Sequence, residues 1–170
     1  CEIKKLNVDW SHIGIGLLIV GATGTSILKK EKIQFQDPKQ VISISNFKIK
    51  FMGVKMVEGP NYVSEMGEFE IYKNEKYLKS LFPERRFYNS SDRITTEAAI
   101  YSTILGDLYI AIGDKNSLDK AKSWTTRIWF NPFTIWIWIG VLFLSLGGLV
   151  SLIKSLRRKI WNIYFWEFFY

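Results

Sequence analysis

His12 is the sole histidine in a chain of 170 residues, and its type and position invite a chemical reading before any other. It stands at the entry of an apolar run. Helical spacing there puts His12, Ile15, Gly16, Ile19 and Thr23 on one stripe. Ionisable side chains in apolar helices are rare and usually functional. A glycine one turn from an imidazole leaves room for a flat macrocycle, which makes His12 a candidate axial ligand of a haem iron. A ring held at the level of lipid headgroups, hydrogen-bonded to water or lipid, explains the position equally well. Bis-histidine ligation needs two imidazoles and this chain carries one. The second would come from another chain, from another part of the protein or from a second copy.

Other chemistry is thin. Glu84-Arg85-Arg86 could receive an anion such as a propionate, although a solvated charged turn after Pro83 is the simpler expectation. Asn89-Ser90-Ser91 fits a glycosylation sequon, a match that arises easily by chance. The one cysteine, Cys1, excludes an internal disulfide and a Cys-based metal site. There is no glycine-rich phosphate loop and no carboxylate cluster at metal-ligand spacing. A self-contained soluble enzyme is therefore not expected.

The elements that must position His12 are apolar. Phe133 to Ile153 is 21 residues long and carries no charge. As a helix it reaches about 31 Å, the thickness of a bilayer's hydrocarbon core. Pro132 suits its first helical position. The earlier run, Ile13 to Leu28, is diluted by Gly14, Gly16, Gly21 and Gly24, which in lipid let neighbouring helices approach closely. A secretory signal, with Lys4 and Lys5 ahead of a short apolar core, competes for this segment.

The net charge of +7 does not point to nucleic acid. Lys4 and Lys5 precede the first run, and Lys154, Arg157, Arg158 and Lys159 follow the second. Basic residues beside apolar segments set membrane orientation. Trp129, Trp136, Trp138, Trp161 and Trp166 gather at the second run and beyond it, as an interfacial belt does. The expected layout is an inner-side segment 1–10, a transmembrane helix 11–28, an external β-rich domain 29–131, a second transmembrane helix 132–153, and a basic, aromatic interfacial tail 154–170.

Within the external domain, period-two alternation marks Val41 to Ser45, Phe47 to Phe51, Phe69 to Tyr72 and Leu108 to Ile112. Turn signals fall at Asp37-Pro38, Glu58 to Asn61, Lys73-Asn74, Asn89 to Asp92 and Gly113 to Asn116. Only Thr95 to Ile104 hints at a helical period. The fold class expected is a membrane protein, α plus β, with two helices flanking a small antiparallel barrel or sandwich.

From about His12 to Ser151 the chain resembles the C-terminal part of CcmF-type haem lyases of cytochrome c maturation. The likeness rests on Ser11-His12-Ile13-Gly14, Phe51-Met52-Gly53-Val54, Glu58-Gly59-Pro60-Asn61-Tyr62 and Pro83-Glu84-Arg85-Arg86-Phe87-Tyr88. It continues through Thr96-Glu97-Ala98-Ala99-Ile100 and Asp107 to Gly113, then Asn131-Pro132-Phe133, Trp136 to Gly140 and Gly147-Gly148-Leu149. The resemblance implies that two transmembrane histidines hold a haem b, with His12 matching one of them. In that family two further histidines, beside a tryptophan-rich segment, receive the haem that is joined to apocytochrome c. None of the other three histidines is present here, nor is that segment. The resemblance thus implies a portion or subunit of a lyase rather than a complete catalyst. Its partners would be other haem lyase or maturation subunits, apocytochrome c and the lipid bilayer, in a mitochondrial or bacterial inner membrane. The domain 29–131 would lie on the intermembrane-space or periplasmic side. The competing reading is a membrane-held β-domain scaffold without haem of its own.

Overall fold

The computed structural model describes residues 2–89, 93–116 and 123–169, with side chains between Trp10 and Arg158. Two compact units emerge. One is a pair of helices, α1 (Glu2–Ile27) and α2 (Thr134–Phe169); the other is the β unit Leu28–Pro132.

The β unit is a sandwich of two antiparallel sheets. One sheet runs in the order β1 (Lys30–Gln36), β10 (Trp124–Pro132), β9 (Gly106–Lys115) and β8 (Ala99–Thr103). The other runs β2 (Val41–Ile44), β3 (Phe47–Glu58), β4 (Tyr62–Lys73), β6 (Glu84–Tyr88) and β7 (Ile94–Glu97), with β5 (Lys76–Leu81) also beside β4. Alternation decides the faces. Phe47, Ile49 and Phe51 of β3 turn inward with Phe69 and Ile71 of β4, against Leu108, Ile110 and Ile112 of β9 and Ile128 and Phe130 of β10. Phe51 stacks on Phe69 at 4.9 Å, and Phe47 reaches across to Phe130 at 5.9 Å. Each such fully buried side chain stabilises the fold by about 1.5–3 kcal/mol.

Local chemistry closes the strands. Asn74 and Glu75 both take positive φ between the paired Lys73 and Lys76, the backbone of a tight hairpin turn whose twist matches the strands. Where β3 slips register between Phe51 and Gly53, Gly53 holds φ at 133°, which side-chain-bearing residues rarely adopt. Gln36 is fully buried yet satisfied, donating to the Gln40 carbonyl at 2.9 Å and accepting from the Thr126 hydroxyl at 3.1 Å.

In the helical unit, α1 and α2 run antiparallel along a seam of glycines. A Cβ placed on Gly14 would lie 2.8 Å from the Gly140 carbonyl oxygen, and one on Gly140 would lie 2.7 Å from the Leu18 nitrogen. Gly21 meets Ile137 in the same way, Gly24 meets Phe133, and Gly147 meets Ser11. Gly14 to Gly21 and Gly140 to Gly147 are each seven residues apart, the spacing that keeps a seam facing its partner over two turns. The stacked rings of Trp10 and Phe143, 5.0 Å apart, close one side. Both helices contain stretches long and apolar enough to cross a membrane: Trp10–Ile27, of mean hydropathy 1.3, and Thr134–Arg158, of mean hydropathy 2.2.

The expected α plus β class holds, as a sandwich rather than a barrel. Several local expectations change. Pro132 ends β10, paired with Gly106, so the helix starts at Thr134. α2 continues through the basic cluster to Phe169 and does not end near Ile153. α1 begins at Glu2, inside the segment expected to precede the helix. Thr95 to Ile104 forms β7 and β8 instead of a helix, because each pairs with a neighbour along its length. Gly113 to Lys115 belongs to β9 rather than to a turn. Trp129 lies in β10, stacked on Tyr109, and is not part of the helical belt.

Candidate functional site

The glycine seam determines what His12 faces. Because Gly14, Gly21 and Gly24 occupy the packed side of α1, the stripe His12, Ile15, Gly16, Ile19 and Thr23 falls on the open side, and all five are exposed. Gly16 differs from the seam glycines: a Cβ there would meet nothing within 4 Å. An imidazole with a bare backbone one turn along thus stands on a surface free of α2. What the described residues supply here is one nitrogen donor beside open space on the α1 surface. Among the described residues no group of three or more His, Cys, Asp or Glu is arranged for a metal ion.

Arg85 and Arg86 are not on a turn. They lie within β6, half-buried, and successive side chains of a strand point to opposite faces. Arg85 bridges Glu65 of β4, at 3.5 Å, and Asp114 of β9, tying one sheet to the other, with Phe87 under its guanidinium at 5.1 Å. Arg86 donates to Glu84 at 2.9 Å, lies 3.9 Å from Glu97 and covers the Tyr62 ring at 4.7 Å. Hydrogen bonds to Glu84 and then Tyr88 raise the Arg86 guanidinium above its already high range. Both cations are committed to carboxylates of their own fold, so neither is available to an incoming anion. Asn89 is exposed at the end of β6; Ser90 and Ser91 of the sequon lie outside the described residues.

The sheet β1-β10-β9-β8 carries a feature that sequence reasoning missed. Its outer face holds a concavity of about 390 Å³, whose lining includes Ile33, Ala98, Ala111, Thr125, Arg127 and Trp129. Trp129 and Tyr109 stack at 5.3 Å with rings almost parallel, Arg127 lies over Trp129 at 5.2 Å, and Glu31 holds the Arg127 guanidinium. Burial, then the neighbouring Asp107 carboxylate, raises the Tyr109 phenol above its usual range. Four strands contribute to this face, so no short motif could have signalled it.

Known proteins resemble the chain along most of its length. The family described as CcmF C-terminal beta-sandwich matches residues 27–132. The cytochrome c-type biogenesis protein CcmF of Haemophilus influenzae is 35% identical over 153 residues, covering 90% of this chain and 23% of that protein. CcmF of Escherichia coli K12 is 32% identical, covering 88% of this chain and 23% of its own length. The solved structure titled Cytochrome c Heme Lyase CcmF superposes with a TM-score of 0.66 at 12% identity, over 86% of this chain and 24% of that one, a likeness of fold. The chain therefore spans about a quarter of the length of these relatives.

Proposed function

The chain belongs to the CcmF family, corresponding to its C-terminal part, and from that premise we propose that it works as a portion or subunit of a cytochrome c haem lyase in which His12 is one axial ligand of a membrane-embedded haem b. The observation that carries the reading is the exposed His12 on the open face of α1, one turn from the bare backbone of Gly16. When bound beside His12, a haem b would supply redox chemistry, an electron route to the iron of the haem being attached. The chain's own part is to hold an imidazole at a fixed height on a rigid helix pair, and to keep the adjoining surface flat. The second imidazole comes from the rest of the protein or from a partner subunit. The β sandwich lies on the periplasmic or intermembrane-space side, an orientation supported by Lys154, Arg157 and Arg158 directly after the second span. There it helps shape the site where haem meets apocytochrome c, alongside other maturation components.

The test is a reduced-minus-oxidised spectrum of the assembly purified with its partners. His12→Ala should remove the b-type signal. Gly16→Leu, which fills the open space without touching the seam, should reduce it while leaving the helix pair at least as stable as before. A signal untouched by His12→Ala would refute the ligand assignment and favour the scaffold reading, in which the β unit organises partners and the imidazole is interfacial.

A further inference from the structure

Three hairpin tips crowd one end of the sandwich, and one of them breaks the rule for turns. Ser45-Asn46 joins β2 to β3, and Asn74-Glu75 joins β4 to β5; both are built from polar turn residues. Ile104-Leu105 joins β8 to β9 between the paired Thr103 and Gly106, and its side chains are 70% and 58% exposed. Placing two large aliphatic residues on an exposed two-residue tip wastes their hydrophobicity in water.

Register shows which end of the sandwich this is. Gly106 stands opposite Pro132, the last residue of β10, and Lys30, the first of β1, stands opposite Phe130. The chain enters and leaves the β unit here, and each connection leads within a few residues into an apolar span. Phe47, whose ring lies 5.9 Å from Phe130, places the two polar tips at the same end. Three lysines, Lys29, Lys30 and Lys32, sit at the first connection, all exposed. The stacked pair Tyr109 and Trp129 lies one short step up the sheet from Gly106 and Pro132. An exposed apolar tip with cations and amphipathic rings behind it is the set of side chains that meets a bilayer at its interface.

We infer that the β8–β9 tip dips into the lipid surface, with Ile104 and Leu105 at the boundary of headgroups and acyl chains. The inference rests on α1 and α2 crossing the bilayer; it does not depend on haem. Such insertion adds a non-covalent membrane contact of the β unit itself to the two chain connections that lead into the apolar spans.

The test uses the full chain, with Cys1 replaced by serine, reconstituted in phosphatidylcholine vesicles. A fluorescent nitrobenzoxadiazole label is attached at Leu105→Cys, at Asn61→Cys on the far β3–β4 tip, or at Leu146→Cys in α2. Lipids spin-labelled near the headgroup should quench the label at residue 105 about three-fold more than the one at 61, given the shallow depth of interfacial side chains. Iodide in the water should do the reverse. Equal quenching at 105 and 61 would overturn the inference. So would a label at 105 shielded from both quenchers, which would mean a protein neighbour covers the tip. The label at 146 separates the premises: if deep spin labels fail to quench it, the spans themselves are misread.

Discussion

Replacing Gly140 with alanine adds one methyl group at the closest point of the helix seam. That methyl would lie 2.7 Å from the Leu18 nitrogen, 2.8 Å from the Gly14 carbonyl oxygen and 3.0 Å from the Leu18 Cβ. Optimal heavy-atom separations begin near 3.5 Å, so the helices must part by about 0.7 Å at this level. Both obstacles at 2.7 and 2.8 Å are backbone, which cannot rotate away. Overpacking of this kind costs about 1–3 kcal/mol. Gly148→Ala supplies the internal control, since the same substitution in the same helix meets nothing within 4 Å. Helix propensity changes equally in the two variants and cancels in the comparison. Unfolding of the detergent-solubilised chain, followed by the helical circular-dichroism signal of α1 and α2, should therefore show Gly140→Ala less stable than Gly148→Ala by that margin. Equal stabilities would refute the seam as the element that fixes the helix pair, and with it the argument that places His12 on the open face.

Two further outcomes follow from the β unit. Arg85→Met should destabilise it by about 1–3 kcal/mol in thermal unfolding, because Glu65 is left half-buried without its cation and the tie to Asp114 is lost; Lys79→Met, on an exposed residue of β5, should change stability little. Tyr109 should ionise above the usual tyrosine range when followed by absorbance near 295 nm, and Asp107→Asn should bring it part of the way back. The fold holds that proton more tightly than the unfolded chain does. The stabilising contribution is therefore complete below the unfolded value, near pH 10, and disappears as pH rises through the higher folded value.

What the sequence made legible follows from which strands lie over the sandwich core. β2 and the stretches Phe47 to Phe51 of β3 and Gly67 to Ile71 of β4 alternate because one face meets the core around Phe51 and Phe69 and the other is more open. β9, by contrast, alternates in sequence although Ala111 on its outer face is also buried. β1 is an edge strand reading Lys-Glu-Lys-Ile-Gln-Phe-Gln, with charges that suit an edge and mask its strand character. β6 shows no apolar alternation because Arg85 faces Glu65 of β4 as a charge pair, and β7 is an edge strand, Ile-Thr-Thr-Glu, exposed along most of its length. The basic cluster after Ile153 was read as an end because charge limits a membrane span; it does not limit a helix, and α2 runs on. His12 was visible as a residue type, but four glycines share its helix and look alike on paper. Only the packing separates Gly14, Gly21 and Gly24, pressed against α2, from Gly16, which faces open space.

The insertion of a whole sandwich between two helices that need each other has a consequence in time. A ribosome making about 5–20 residues per second takes some 5–20 s to synthesise the stretch from Leu28 to Pro132. Throughout that interval α1, the less hydropathic span, has to persist without the partner its glycines are shaped for. Its bare seam is exposed to any passing helix until α2 emerges. A nascent chain of this design therefore has a window of vulnerability between the synthesis of its two helices, and substitutions that weaken the insertion of α1 should reduce yield during biosynthesis even where the finished protein tolerates them.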